Sequence, residues 1–120
     1  MVRIANGQGF WGDWLEAPVR QLEQGPIDYL ALDYLAEITM SILQKQKRAD
    51  PTLGYARDFV TLLARIGPRL GATRVVANAG GVNPRACAEA VLCVAPGLKV
   101  AIVTGDDIFD RLDDMLARGL

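Results

Sequence analysis

Four stretches of the chain carry residue types that could do chemistry, and each follows an apolar run: Asn6-Gly7-Gln8-Gly9, Asp33 with Glu37, Asn78-Ala79-Gly80-Gly81-Val82-Asn83, and Thr104-Gly105-Asp106-Asp107. Glycines let a backbone approach a ligand closely, and the free amides of the helix starts that follow favour an anion. Asp33, Glu37 and Asp106 are the acid–base candidates. Two carboxylates sharing a site split their pKa values and serve as acid and base, or hold a hard divalent cation. Asn6, Gly7, Gly9, Asn78, Gly80, Gly81 and Asn83 are the candidates for positioning a ligand. Each type also has a purely structural use, because Gly, Asn and Asp build turns and caps, and a first-turn Glu complements the helix dipole.

Other chemistries are excluded by what the chain lacks. It contains no histidine, which removes imidazole-dependent triads and the zinc sites that use imidazole. Cys87 and Cys93 lie on one expected helix at a spacing that points them in different directions, so they suit neither a disulfide nor a metal and read as buried thiols. With 13 basic and 14 acidic side chains the net charge is -1, too little positive charge to neutralise a phosphate backbone, so nucleic acid is not an expected partner. No apolar run approaches the roughly 20 residues that span a bilayer. The chain opens directly on a strand-like Met1-Val2-Arg3-Ile4 with no leader, and a cytoplasmic location is expected.

Gly7, Gly9 and Gly12 satisfy G-x-G-x-x-G after a first strand, and Asp33 ends the next strand where a ribose-binding acid belongs. A nicotinamide-dinucleotide-binding module is therefore one reading. Against it, Phe10 and Trp11 fill the spacer with bulk, and the Asp13 carboxylate stands where a pyrophosphate needs the positive end of the helix dipole. Asn78-Ala79-Gly80 is similar to the N-A-G segment of short-chain dehydrogenases, but none of Tyr29, Tyr34 or Tyr55 is followed by Lys four residues on, as that chemistry requires.

The elements that must position these residues follow from periodicity. Residues 2–6, 28–33, 74–78 and 99–104 read as strands, the second apolar without alternation, as expected when both faces are covered. Helices are expected from about Glu16, from 35 to 48 with a basic, solvated last turn at Gln44–Arg48, over the stripe Tyr55, Phe59, Leu62, Leu63 and Ile66, after Asn83-Pro84, and after Asp106-Asp107 with Ile108, Leu112, Met115 and Leu116 inward. This order predicts a single α/β domain over residues 1–120: an open, mostly parallel, Rossmann-like sheet of about four strands with helices on both faces. Ligands of such sheets sit beyond the carboxyl ends of the strands, where strand order reverses.

The segments Arg3–Asp13 (R-I-A-N-G-Q-G-F-W-G-D), Asp28–Glu37 (D-Y-L-A-L-D-Y-L-A-E) and Val75–Pro84 (V-V-A-N-A-G-G-V-N-P), with Gly105-Asp106-Asp107 in register, resemble the N-terminal part of the acyclic terpene utilisation family. That resemblance implies a role in breaking down citronellol- and geraniol-type compounds, whose branched acids are handled as coenzyme A thioesters. It implies an anionic metabolite as partner, a terpenoid acid or acyl-CoA, and names no cofactor. It also implies a longer protein of which this chain is the opening portion. The apolar helix after Pro84 and the aromatic Phe10, Trp11 and Trp14 then await a cover, from a C-terminal remainder or a second copy. A non-catalytic interaction domain or inactive truncated remnant is the remaining reading.

Overall fold

The computed structural model describes residues 1–120. The chain forms β1 (Ile4–Gln8), α1 (Glu16–Gln24), β2 (Tyr29–Leu32), α2 (Glu37–Ala49), α3 (Arg57–Ile66), β3 (Arg74–Ala77), α4 (Pro84–Val94) and a short α5 (Leu112–Ala117). The strands build one parallel sheet in the order β1-β2-β3. Ile4, Tyr29 and Arg74 share one row and Asn6, Ala31 and Val76 another, while an irregularity after Asn6 brings Gln8 opposite Leu32.

Both crossovers advance across the sheet in the same direction. Right-handed crossovers place α1 and α3 on the same face, while the buried side chain of α2, Leu43, lies against Gly81 in the loop after β3; this corrects the expectation of helices on both faces. The covered face carries Leu30, Leu32 and Val75 against Val19, Leu62, Leu63, Ile66 and Val91. The opposite face lies open, with Ile4 70% and Val76 58% exposed. On it Arg74 stacks 5.8 Å from the Tyr29 ring and donates to its hydroxyl at 3.0 Å. Because the order is sequential, no reversal point exists within this sheet, and the crevice expected there is absent.

The core is aliphatic with one aromatic pair. Leu30, Leu43, Leu62 and Ile66 are fully buried, each stabilising the fold by roughly 1.5–3 kcal/mol relative to exposure. Tyr34 packs edge-on against Phe59 with ring centroids 5.8 Å apart. Arg65 at the end of α3 and Arg69 in the 3-10 turn after it pair with Glu16 and Glu23 of α1 at 2.8 and 2.9 Å, exposed pairs that each contribute little.

The C-terminal part differs most from expectation. Residues 99–104 form no regular structure and pair with no strand, so the sheet has three strands and not four. A β-branched composition reports what suits a pleated surface, and does not fix whether a partner edge is engaged. Lacking a sheet to cover, α5 and the 3-10 turn before it leave Ile108, Leu112 and Leu116 exposed, and only Met115 is half-buried. On α4, Cys87 and Val91 face the core beside α3, whereas Leu92, Cys93 and Val94 are exposed. Cys93 is therefore not the buried thiol expected, since α4 is covered on one side only.

Candidate functional site

The carboxyl ends of β2 and β3 are joined through side chains. Asn78 Nδ2 donates to Asp33 Oδ1 at 2.7 Å, and Asn78 Oδ1 accepts from the Tyr34 amide at 2.7 Å. Asp33 Oδ1 also accepts from the Leu35 amide at 3.1 Å. The Asn78 side chain, followed by the Leu35 amide, holds the Asp33 carboxyl below the ordinary carboxylate value. Glu37, at the first position of α2, is exposed and makes no hydrogen bond to Asp33.

The loop after β1 is closed on itself. Asp13 Oδ2 accepts from the Gly9 amide at 3.0 Å and its Oδ1 from the Trp14 amide at 2.7 Å, and these bonds lower the Asp13 pKa in that order. Asp13 does not cap α1, whose start at Leu15 has no side-chain cap. Gly7 lies inside β1, where an added Cβ would meet Leu32 Cδ2 and Pro18 Cβ at 2.8 Å, so its lack of a side chain serves strand–helix packing. The Asn6 carbonyl accepts from Gln21 Nε2 at 2.8 Å. Trp14, expected against an apolar cover, is stacked by Arg20 at 4.9 Å. With Gly7 packed and the Gly9 amide already bonded, the loop offers little of what a pyrophosphate needs.

The loop after β3 is laced to the turn between α2 and α3. Ala56 donates to Ala79 O at 2.9 Å, Val82 to Gly54 O at 3.0 Å, and Asn83 Nδ2 to the carbonyls of Pro51 and Leu53 at 2.8 Å. Asn83 also caps α4, its Oδ1 accepting from Ala86 at 3.4 Å. Gly81 takes φ of +53°, and a Cβ there would meet Leu43 Cδ1 at 2.5 Å. On Gly80 a Cβ would meet Pro84 Cα at 2.9 Å. Lys47 Nζ donates to Val82 O at 2.6 Å, which fastens α2 over this loop.

Two adjoining clefts open beside that loop. One, of about 250 Å³, lies between Lys47, Asn83, Arg85 and the segment Thr104–Asp107. The other, of about 700 Å³, is floored by Met40, Val82, Ile108, Phe109 and Leu112 and rimmed by Gln44, Lys45 and Arg48. They share Gly81, Val82, Asp106 and Asp107. Asp107 Oδ1 accepts from the Phe109 amide at 3.0 Å, whereas Asp106 makes no hydrogen bond within the chain.

Of the residues singled out in the sequence, Gly81, Asn83 and Asp106 line these clefts. Asp33 and Asn78 are joined to each other at the strand ends, and Asn6, Gly7 and Gly9 sit on the β1 side. Sequence reasoning missed Lys45, Lys47, Arg48 and Arg85. A signal exists for α2, since Met40, Ser41, Gln44, Lys45 and Arg48 fall on one helical face, although the run Gln44–Arg48 alone reads as a solvated last turn. No group of three or more His, Cys, Asp or Glu side chains is placed to hold a metal. No helix is long and apolar enough to cross a membrane.

Fold and site together define an α/β domain on an open parallel sheet, with its polar loops gathered at the carboxyl edge. The model of the acyclic terpene utilisation family protein AtuA matches residues 2–120, and the chain belongs to that family. No curated protein and no solved structure matches it.

Proposed function

We propose that this domain binds a branched terpenoid acid, free or as its coenzyme A thioester, in the paired clefts beside the β3–α4 loop, as part of an enzyme of acyclic terpene breakdown. The observation that carries the proposal is the joining of an apolar floor of about 700 Å³ to a rim of unpaired cations. That volume falls in the range of small-molecule sites. Arg48 and Arg85 form no ion pair, and Lys45 forms none either. A branched hydrocarbon tail suits Met40, Val82, Ile108 and Phe109. A carboxylate or phosphate suits the guanidinium groups, which bind anions by charge-assisted hydrogen bonds. Asp106 is the acid–base candidate within reach of such a ligand, because its carboxylate is not otherwise engaged.

A thermal unfolding scan of the chain with and without citronellic acid or its thioester tests this reading. A ligand at 100 times its dissociation constant adds about 2.7 kcal/mol to the folded state and raises the midpoint by several degrees. An unmoved midpoint with both compounds would remove the proposal. A nicotinamide dinucleotide is expected to leave the midpoint unchanged, because Asp13 occupies the Gly9 amide.

A further inference from the structure

The fold has a free strand edge, and a segment of strand-like composition that pairs with nothing. The Arg74 amide donates to Asp28 O on the β2 side, so Arg74 and Val76 direct their backbone groups at β2. Val75 and Ala77 direct theirs outward, at an edge no strand occupies. From Lys99 to Asp107 no backbone amide finds a partner, and Val100, Ile102 and Val103 are exposed.

The segment's ends place it along that edge. It begins after Leu98, four residues past the end of α4, and Leu98 Cδ1 would lie 3.7 Å from a Cβ on Gly67, in the 3-10 turn between α3 and β3. It arrives at Thr104–Asp107, which line a cleft with Gly81 and Asn83 just after β3. Its direction is therefore that of β3.

We propose that Lys99–Thr104 is a strap that closes on the free edge of β3 as a fourth parallel strand, and that filling the cleft at its carboxyl end drives the closure. The composition K-V-A-I-V-T suits a strand. The path from β3 through α4 makes the same right-handed crossover as the two before it, with α4 on the covered face. Pairing satisfies the outward groups of Val75 and Ala77, which otherwise form an open template. The gain of a backbone hydrogen bond is similar to the entropy of fixing a residue, so the strap sits near balance and a ligand decides it. Closure carries Gly105 and Asp106 toward the sheet's carboxyl edge. The ligand-driven part rests on the proposed binding function; the pairing itself does not.

Residue-resolved amide hydrogen exchange on the whole chain, with citronellic acid as the probe and Ile102→Pro as the variant, tests this. Adding the acid is expected to slow exchange at Val75, Ala77 and Val100–Val103 at least tenfold in the wild type and to leave the variant unchanged. Resonances of Gly81 and Val82 that shift on titration while those amides exchange as before would overturn the strap and leave the binding function standing. If the acid moves no resonance, the binding function fails, and the pairing is judged on the free chain. Slower exchange at Val75 and Ala77 in the wild type than in Ile102→Pro would then support it, and equal exchange would overturn it.

Discussion

Asn78 holds Asp33: its Nδ2 lies 2.7 Å from the Asp33 carboxylate while its Oδ1 takes the next amide, that of Tyr34. One side chain thus fastens two adjacent strand ends. Replacing Asn78 by Ala is expected to cost about 1–2 kcal/mol, the sum of two modest hydrogen bonds, seen as a lower urea midpoint. The pH dependence follows in sign. The Asp33 carboxyl is held below its ordinary 3.8 in the folded chain, so its stabilising contribution is fully present above that pH and is lost as the pH falls through the lower folded-state value. The stability gap between wild type and Asp33→Asn should shrink as the pH drops below 3.8, and a gap independent of pH would contradict the linkage.

Glycines of the sequence motifs separate by what surrounds them. Gly7→Ala drives a methyl into Leu32 and Pro18 and is expected to cost about 1–3 kcal/mol. Gly81→Ala adds a left-handed backbone to close contacts with Leu43 and Gly54, for about 2–4 kcal/mol. Gly25→Ala, where a Cβ meets nothing within 4 Å, is the neutral control. Thermal midpoints of the three variants give the order directly.

Gln8 is 2% exposed, and neither its Oε1 nor its Nε2 finds a partner. A buried amide without hydrogen bonds is destabilising, so Gln8→Met is expected to stabilise the fold by about 1 kcal/mol, read as a midpoint raised by a few degrees. A fall in midpoint would show that the amide is satisfied in solution.

The two thiols should differ in reactivity. Burial pushes Cys87 up to about 11, while Cys93 is exposed. Mass spectrometry after brief alkylation near neutrality is expected to find Cys93 modified and Cys87 intact. Equal labelling would mean that α4 opens readily.

Much of the fold was legible in the sequence because periodicity reports burial. The first three strands, the start of α1 near Glu16 and the α3 stripe emerge close to where the spacing placed them. What was not legible depends on relations between distant segments. The unalternating run Tyr29–Leu32 suggests cover on both faces, but crossover direction decides that, and here α1 and α3 lie on one side. The glycine motif was legible as a motif, yet the contacts of Gly7 with Leu32 and Pro18 belong to packing. Arg48 and Arg85 were unremarkable in the chain because only the folded loop after β3 brings α2 and the start of α4 to one cleft.

The most direct test of the proposed binding function is calorimetric titration of citronellic acid and its coenzyme A thioester into the wild-type chain and an Arg48→Glu, Arg85→Glu double variant. Saturable binding to the wild type, weakened at least tenfold in the variant, is the expected result, since one charge-assisted hydrogen bond is worth about 1.5–3 kcal/mol. No binding to the wild type, or equal affinity in a folded variant, would contradict it.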